Sequence, residues 1–298
     1  MFEPSLAAAG GVNADAVRAQ IRAWLAEDIG SGDITSWATI PAGSQSKAVI
    51  HVKEPGILAG IPIARLVFEV VDAALEFRPL RADGDAVTKG DVIAEVEGST
   101  HSILTGERLA LNLMQRLSGI ATKTRAFVDA LDGLPTRLVD TRKTTPGHRM
   151  LEKYAVRVGG GFNHRFGLYD AVMIKDNHIK GSGGITGAVQ AARHAIPHTM
   201  KIEVETESLA QVEEAIACGA DIIMLDNMPH DRMREASAMI KARAPHVIVE
   251  ASGNVRLDTV RGIAECGVDV ISVGGLTYSF QSLDISLDLH GKKGGVTA

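Results

Sequence analysis

The sequence predicts an α/β protein in two parts, a small strand-rich N-terminal domain followed by a short parallel α/β barrel. Between residues 47 and 98 the apolar pattern is that of short strands. After residue 136, short apolar strands alternate with helical patterns, which is typical of βα units around a parallel sheet. Residues 215–223 and 263–271 repeat one helix–glycine–strand pattern, as equivalent units of a barrel do.

Composition and charge place the chain among soluble globular proteins. It has 298 residues, of which 45% are hydrophobic and 22% charged, enough for one large domain or two ordinary ones. The net charge of −5 gives no reason to expect a nucleic-acid or acidic-membrane binder. No apolar run reaches the ~18 residues of a membrane span, and the N-terminus lacks the basic region of a signal peptide.

Cysteine usage points to a reducing compartment. Cys218 and Cys266 are the only cysteines, and neither has a metal-type partner at two-residue spacing. We expect two reduced, buried thiols in a cytoplasmic protein.

The N-terminal domain opens with a helix that Asn13 caps and that runs to about Asp28. Strands are predicted at residues 48–52, 75–77 and 92–96. A helix is predicted at residues 61–71, with Pro62 in its first turn.

Residues 83–91 resemble the turn before the last strands of lipoyl and biotinyl carrier domains. Lys89 lacks the acidic or methionine neighbours of a modified lysine, so we expect the geometry without the modification.

One long helix, residues 105–131, is predicted to link the two domains because its apolar residues form a single stripe. The boundary is expected near its middle. The predicted divisions are residues 1–115 for the N-terminal domain, residues 116–275 for the barrel, and residues 276–298 for a tail that packs back on the N-terminal domain.

Six strands are predicted in the barrel, two short of the usual eight. They are residues 137–141, 171–175, 201–205, 221–226, 247–251 and 269–274. The helices between them are predicted at residues 185–195, 209–217, 231–242 and 257–265.

The carboxyl end of every predicted barrel strand carries polar residues or glycine, and active sites of parallel α/β folds lie at that end. Thr141, Arg142 and Lys143 follow the first strand, and Lys175 ends the second. Arg165 lies between them in a glycine-rich segment. Cations held beside such backbone, on an acidic protein, favour a small ligand with several negative charges.

The remaining strand ends suggest phosphate and metal chemistry. Residues 252–254 (Ser-Gly-Asn) and 274–275 (Gly-Gly) lie on the last two strands, where barrels commonly bind phosphate through backbone N–H groups. Glu205 and Asp226, on adjacent strands, offer the hard oxygen ligands that suit Mg²⁺ shared with a diphosphate. They could instead form ion pairs with Lys143 or Lys175. His164 could donate to an anion or be structural.

Long, ordered motifs from residue 24 to residue 276 resemble the quinolinate phosphoribosyltransferase family. They are EDIGSGDIT (residues 27–35), ERLALNLMQRLSGIAT (107–122), DTRKTTPG (140–147), GGGFNHRFGLYDAVMIKDNHI (159–179), IEVE (202–205), MLDN (224–227), ASGN (251–254) and SVGGLT (272–277).

The resemblance implies an open α/β sandwich followed by a seven-stranded α/β barrel, one strand more than the pattern gives. It also implies conversion of quinolinate and phosphoribosyl pyrophosphate (PRPP) to nicotinate mononucleotide, pyrophosphate and CO₂, with Mg²⁺, in NAD biosynthesis. A homodimer is implied, in which Arg108 reaches the partner's barrel site; a higher oligomer stays open.

The resemblance also implies the site positions, and apart from Arg108 and Val273 they agree with the sorting by chemistry above. For quinolinate they are Arg108, Arg142, Lys143, His164, Arg165 and Lys175, with Thr141 beside them. For PRPP and its metal they are Glu205, Asp226, Ser252, Gly253, Asn254, Val273, Gly274 and Gly275. Lys143, Lys175, Glu205 and Asp226 are the expected catalytic residues.

Three other functions compete with this prediction. One is a related phosphoribosyltransferase acting on another aromatic acid. A second is a PRPP-independent barrel lyase or aldolase with Lys143 or Lys175 as a Schiff-base lysine. A third is a non-catalytic anion-binding protein, which would not explain carboxylates placed opposite the cations.

Overall fold

A computed structural model describes residues 12–290, and these divide into two compact units. The first unit holds residues 12–123, 150–159 and 280–290, and the second holds residues 124–149 and 160–279. The division thus falls after residue 123 rather than after residue 115, and the first unit takes in a segment that the sequence pattern assigned to the barrel.

The helices and strands of the described residues alternate along most of the chain. The helices are α1 Ala14–Ile29, α2 Ile34–Thr39, α3 Ile61–Val71, α4 Thr100–Ala130, α5 Arg149–Val158, α6 Asp176–Ser182, α7 Ile185–Ala195, α8 Leu209–Ala217, α9 His230–Arg243, α10 Val260–Ala264 and α11 Gly275–Tyr278. The strands are β1 Gln45–Val52, β2 Gly56–Ile57, β3 Glu76–Pro79, β4 Ala86–Val87, β5 Val92–Ser99, β6 Arg137–Val139, β7 Val172–Ile174, β8 Ile202–Thr206, β9 Ile222–Asp226, β10 Ile248–Ser252, β11 Val270–Ser272 and β12 Ile285–His290.

The first unit is built on an antiparallel sheet in the order β12-β1-β5-β3. Alternate residues of β1, among them Ala48, Ile50 and Val52, are fully buried, as the period-2 pattern predicts. The apolar helix α3 belongs to the same core, and its Phe68 stacks on Phe77 of β3 with ring centroids 5.9 Å apart. Helix and sheet together form the α/β domain expected before the barrel.

Several elements of the first unit differ from the sequence prediction. Helix α4 begins at Thr100, ahead of the predicted residue 105, and β12 is a strand in what was predicted only as a tail. Helix α5 was not predicted because buried charges interrupt its apolar pattern: Glu152 and Lys153 are both fully buried. Arg116 on α4 donates from Nε to Glu152 at 3.1 Å, which ties α5 to the first unit.

The second unit contains a six-stranded parallel sheet in the order β6-β11-β10-β9-β8-β7. These are the six predicted strands, so the parallel α/β architecture is confirmed. Phe162 adds a seventh strand position, since it bridges Val139 in parallel and its N–H donates to Leu138 O at 2.8 Å. The pattern analysis missed it because one bridging residue leaves no periodicity.

Helices α6 and α11 were not predicted, and α10 begins at Val260 rather than residue 257. The repeated helix–glycine–strand turns are present, with Gly219 at φ 78° and Gly267 at φ 84°. Both cysteines are free, but only Cys266 is buried; Cys218 is half-exposed, so the expectation of two buried thiols was wrong for that residue. Among the described residues, every helix is too short or too polar to cross a bilayer.

Candidate active site

A cleft of about 520 Å³ opens at the carboxyl ends of the parallel strands, and all its lining residues belong to the second unit. It brings together every predicted site residue except Arg108, which lies on α4 in the first unit. The predicted residues that line it are Thr141, Arg142, Lys143, His164, Arg165, Lys175, Glu205, Asp226, Ser252, Gly253, Asn254, Val273, Gly274 and Gly275.

The strand order sorts these residues by chemistry. Cations follow β6 and the Phe162 position, and one more cation follows β7 at the other end of the strand order. The glycine-rich ends belong to β11 and β10, and the carboxylates to β9 and β8. The first and last strands of this order, β6 and β7, both contribute cations to the same cleft. The two ends of the sheet therefore come together there, as closure into a barrel requires.

The segment after β6 is held in place by backbone hydrogen bonds. Thr141 Oγ1 accepts from Lys143 N–H at 3.0 Å, and Thr277 Oγ1 donates to Lys143 O at 2.8 Å. Because the backbone is fixed here, the side chains of Arg142 and Lys143 lose less conformational entropy when an anion binds.

Arg165 is anchored but kept beside another cation. Its Nη1 donates to Ala171 O at 2.9 Å. Burial lowers the pKa of Arg165, and the nearby charge of Arg142 lowers it further. Two guanidinium groups that line one partly buried cleft favour a dianion that binds between them.

Lys175 and Glu205 form an ion pair, with Nζ and Oε2 3.1 Å apart. The ion-pair alternative foreseen for this carboxylate is therefore present. This ion pair does not prevent Glu205 from binding a metal ion, because the Glu205 side chain lines the cleft beside Asp226 on the next strand.

His164 is committed to protein partners at both ring nitrogens. The N–H of Arg165 donates to Nδ1 at 2.7 Å, which places the ring proton on Nε2. Nε2 lies 3.3 Å from Oε2 of Glu203 and 3.4 Å from Oε2 of Glu250. Both ring nitrogens of His164 therefore face protein groups, so the ring supports the cationic segment and does not offer a nitrogen to a ligand.

Burial lowers the pKa of His164, but the hydrogen bonds and charges of Glu203 and Glu250 outweigh it and raise the pKa to about 10. A second proton on Nδ1 would break the Arg165 contact, which works against this rise. The folded-state pKa stays above the unfolded value of 6.5. The stability supplied by the charged ring is thus fully present below that value and is lost as the pH rises toward the folded pKa.

Replacing Glu250 with glutamine is expected to lower the pKa of His164 by at least ~1 unit, because one of the two facing charges disappears. NMR of the ring protons against pH measures this directly. Glu207→Gln, at an exposed position outside the cleft lining, is the control and should leave the value unchanged. An equal pKa in wild type and Glu250→Gln would show that the carboxylates do not set the charge of the ring.

Sequence reasoning assigned no role to Glu203 and did not single out Glu250, which lines the cleft. Glu203 precedes Glu205 by two residues and Glu250 precedes Ser252 by two, so each shares the inward face of its strand one layer deeper. That period-2 offset was the available signal. One ligand atom from each of His164, Glu203 and Glu250 lies within 4.8 Å of the others, but both ring nitrogens of His164 already face protein partners.

Asp140, directly after β6, was assigned no role from the sequence. It is fully buried, accepts from Asn163 Nδ2 at 2.6 Å, and accepts from His164 N–H at 2.9 Å. Asp140 therefore fixes the segment that presents Arg165 to the cleft.

Comparison with known proteins decides the family. Residues 33–118 match the N-terminal domain, and residues 120–288 the C-terminal domain, of quinolinate phosphoribosyl transferase. The chain belongs to the quinolinate phosphoribosyl transferase family. Both family domains are present in the expected order, so the resemblance seen in the motifs is confirmed over nearly the whole described chain.

Individual relatives agree with this assignment in sequence and in fold. A probable nicotinate-nucleotide pyrophosphorylase (carboxylating) of Synechocystis sp. is 50% identical over 271 residues, covering 90% of this chain and 91% of the relative. The probable enzyme of the same name from Bacillus subtilis is 50% identical over 264 residues, covering 88% and 90%. The crystal structure of NadC from Streptococcus pyogenes is 44% identical with a TM-score of 0.89, covering 94% of this chain and 98% of that one.

Proposed function

We propose that this protein transfers the phosphoribosyl group of PRPP to quinolinate and releases pyrophosphate and CO₂, forming nicotinate mononucleotide for NAD biosynthesis. The observation that carries the proposal is the sorting of one cleft into a cationic sector, a carboxylate sector and a glycine-rich sector. A dicarboxylate acceptor and a metal-bound diphosphate need those three sectors together. The family membership of the chain supports the same activity.

The cationic sector binds quinolinate. Arg142, Arg165 and Lys175 supply more positive charge than one carboxylate requires, and Lys143 adds to it. Several fixed cations are needed to take a dianion out of water. The charge of Arg142 lowers the pKa of Arg165, so a bound dianion would relieve the repulsion between these two cations.

The carboxylate and glycine-rich sectors bind PRPP. Glu205 and Asp226 offer the hard oxygen donors that Mg²⁺ prefers, and they lie on adjacent strands at one cleft. When bound, Mg²⁺ stabilises the negative charge of the departing diphosphate. Val273 N–H already donates to Val139 O at 2.9 Å, so we assign phosphate binding to Gly274, Gly275 and residues 252–254.

The chain's own contribution to the reaction is positioning and electrostatics. The bond between the anomeric carbon and the diphosphate oxygen breaks, and the quinolinate ring nitrogen forms a new bond to that carbon. The resulting pyridinium accepts the electron pair of the breaking C2–carboxylate bond, so CO₂ leaves and C2 takes up a proton. The cationic sector holds the ring nitrogen facing the ribosyl carbon throughout.

Comparing acceptor acids tests the proposed substrate. With PRPP and Mg²⁺ present, quinolinate should be turned over and nicotinate should not, because nicotinate lacks the second carboxylate that the extra cations hold. Liquid chromatography of both reactions gives the answer. Preferential turnover of nicotinate would assign the chain to a related phosphoribosyltransferase instead.

We also propose a homodimer with shared sites, as the family resemblance implies. Arg108 on α4 has a side chain that is 59% exposed, and its guanidinium lies 3.9 Å from the Glu107 carboxylate. The exposure of this arginine supports a role in the cleft of a partner subunit. A two-fold dimer would then carry two equivalent sites.

Mixing two inactive variants tests the shared site. Arg108→Ala and Lys143→Ala should each be inactive alone, while re-association of equal amounts should restore about a quarter of the wild-type sites, because each mixed dimer has one intact site. Arg142→Ala mixed with Lys143→Ala is the control and should stay inactive, since both changes fall in the barrel sector. A dead Arg108–Lys143 mixture with proven subunit exchange would place Arg108 within its own chain's site.

A further inference from the structure

Two asparagines at the carboxyl ends of β9 and β10 have left-handed backbone conformations. Asn227 has φ 52° and Asn254 has φ 49°, and they are the only non-glycine residues with positive φ among residues 12–290. This conformation is costly for residues with a side chain, although asparagine tolerates it best. Both line the cleft, where such strain persists only if the surroundings impose it.

The side chain of Asn227 connects two strand ends. Its Nδ2 donates to Asp226 Oδ2 at 2.8 Å, and its Oδ1 accepts from Asn254 Nδ2 at 2.9 Å. The amide orientation follows from the contact, because a carboxylate oxygen accepts the hydrogen bond that Nδ2 donates. Its backbone N–H also donates to Ser252 O at 2.9 Å, so backbone and side chain both join β9 to β10.

Gly253 provides the space for this connection. It has φ +91°, and a Cβ placed there would lie 2.2 Å from Asn227 Oδ1, with the next two nearest atoms in the same side chain. A side chain at residue 253 would therefore displace the Asn227 amide. The glycine of this strand end is thus explained by Asn227 and not only by a phosphate.

We propose that Asn227 is a positioning residue for the PRPP side of the cleft, which orients the Asp226 carboxylate and fixes it relative to residues 252–254. The inference rests on the proposed function, in which Asp226 and residues 252–254 hold a metal-bound diphosphate. The hydrogen bond from Nδ2 occupies Oδ2 of Asp226, so Oδ1 would be the oxygen left to hold the cation. Neighbours that orient metal-ligating carboxylates typically change affinity 10–100-fold when removed.

The test measures binding of inorganic diphosphate with Mg²⁺ by calorimetry, and binding of quinolinate without PRPP. Asn227→Gly keeps the left-handed backbone accessible and removes the amide. We expect diphosphate binding to weaken roughly 10-fold or more, with quinolinate affinity and the melting temperature close to wild type. Asn177→Ala, an exposed asparagine of α6 outside the cleft lining, is the matched control.

A double-mutant cycle separates positioning from a general structural role. Gly253→Ala should weaken diphosphate binding in the wild-type background, and it should do so much less in the Asn227→Gly background, because the atoms it would strike are gone. Gly219→Ala, also left-handed at φ +78° but with no atom within 4 Å of the added Cβ, reports backbone strain alone.

Unchanged diphosphate affinity in Asn227→Gly, or equal effects of Gly253→Ala in both backgrounds, would overturn the inference while leaving the proposed function intact. Failure of the wild-type protein to bind diphosphate with Mg²⁺ would overturn both.

Discussion

Arg165→Ala is expected to weaken quinolinate binding by about 2–5 kcal/mol, the usual cost of removing one partner of a buried charged hydrogen-bonded pair. The guanidinium is partly buried, fixed by Ala171 O at 2.9 Å, and close to Arg142. Calorimetric titration with quinolinate measures the loss. The fold should survive, because Arg165 lines a cleft and is not part of the apolar core.

Arg232→Ala is the matched control for Arg165→Ala. Arg232 is an exposed arginine of α9 that pairs with Glu235 at 3.0 Å, outside the residues that line the cleft. Quinolinate affinity should not change in this variant. If Arg165→Ala instead unfolds the protein, Arg165 serves the fold as a structural cation, and the cationic sector loses its central member.

Asp226→Ala is expected to impair PRPP use by several kcal/mol while leaving quinolinate affinity, measured without PRPP, near wild type. Asp226 ends β9 and faces the cleft beside Glu205. Removing it takes one of the two carboxylates proposed to hold Mg²⁺ with the diphosphate. The Michaelis constant for PRPP and its dependence on Mg²⁺ concentration report the effect.

Asp231→Ala provides the comparison for Asp226→Ala, since Asp231 is an exposed aspartate in the first turn of α9, outside the cleft lining. The Michaelis constant for PRPP and its dependence on Mg²⁺ concentration should keep their wild-type values in Asp231→Ala. An Asp226→Ala variant that loses quinolinate affinity and keeps PRPP affinity would exchange the roles assigned to the two sectors.

The barrel was predictable from sequence because its strands are short apolar runs that end in polar residues. The apolar pattern and the polar ends indicate the same strands. The four cations, two carboxylates and glycine-rich ends lie in one cleft for the same reason: carboxyl ends of parallel strands share one edge. Helix α3 was predicted at its observed bounds because Pro62 and the apolar spacing mark its start and length.

What could not be predicted depends on contacts between residues far apart in the chain. Helix α5 has buried charges whose partners, such as Arg116, are visible only in three dimensions. The Phe162 strand position is one residue long, so it has no periodicity to detect. Spacing within a strand places Glu203 and Glu250 on its inward face, but their contacts with His164, and that of Asn227 with Asn254, involve other segments of the chain.

The central claim is that one cleft joins quinolinate to PRPP with loss of CO₂. Incubating the protein with PRPP, Mg²⁺ and quinolinate labelled at the C2 carboxylate tests it most directly. We predict equal amounts of nicotinate mononucleotide, pyrophosphate and labelled CO₂, all absent when PRPP is omitted or when Arg165→Ala and Asp226→Ala are combined. Labelled CO₂ released without PRPP, or no nucleotide formed by the wild-type protein, would contradict the account.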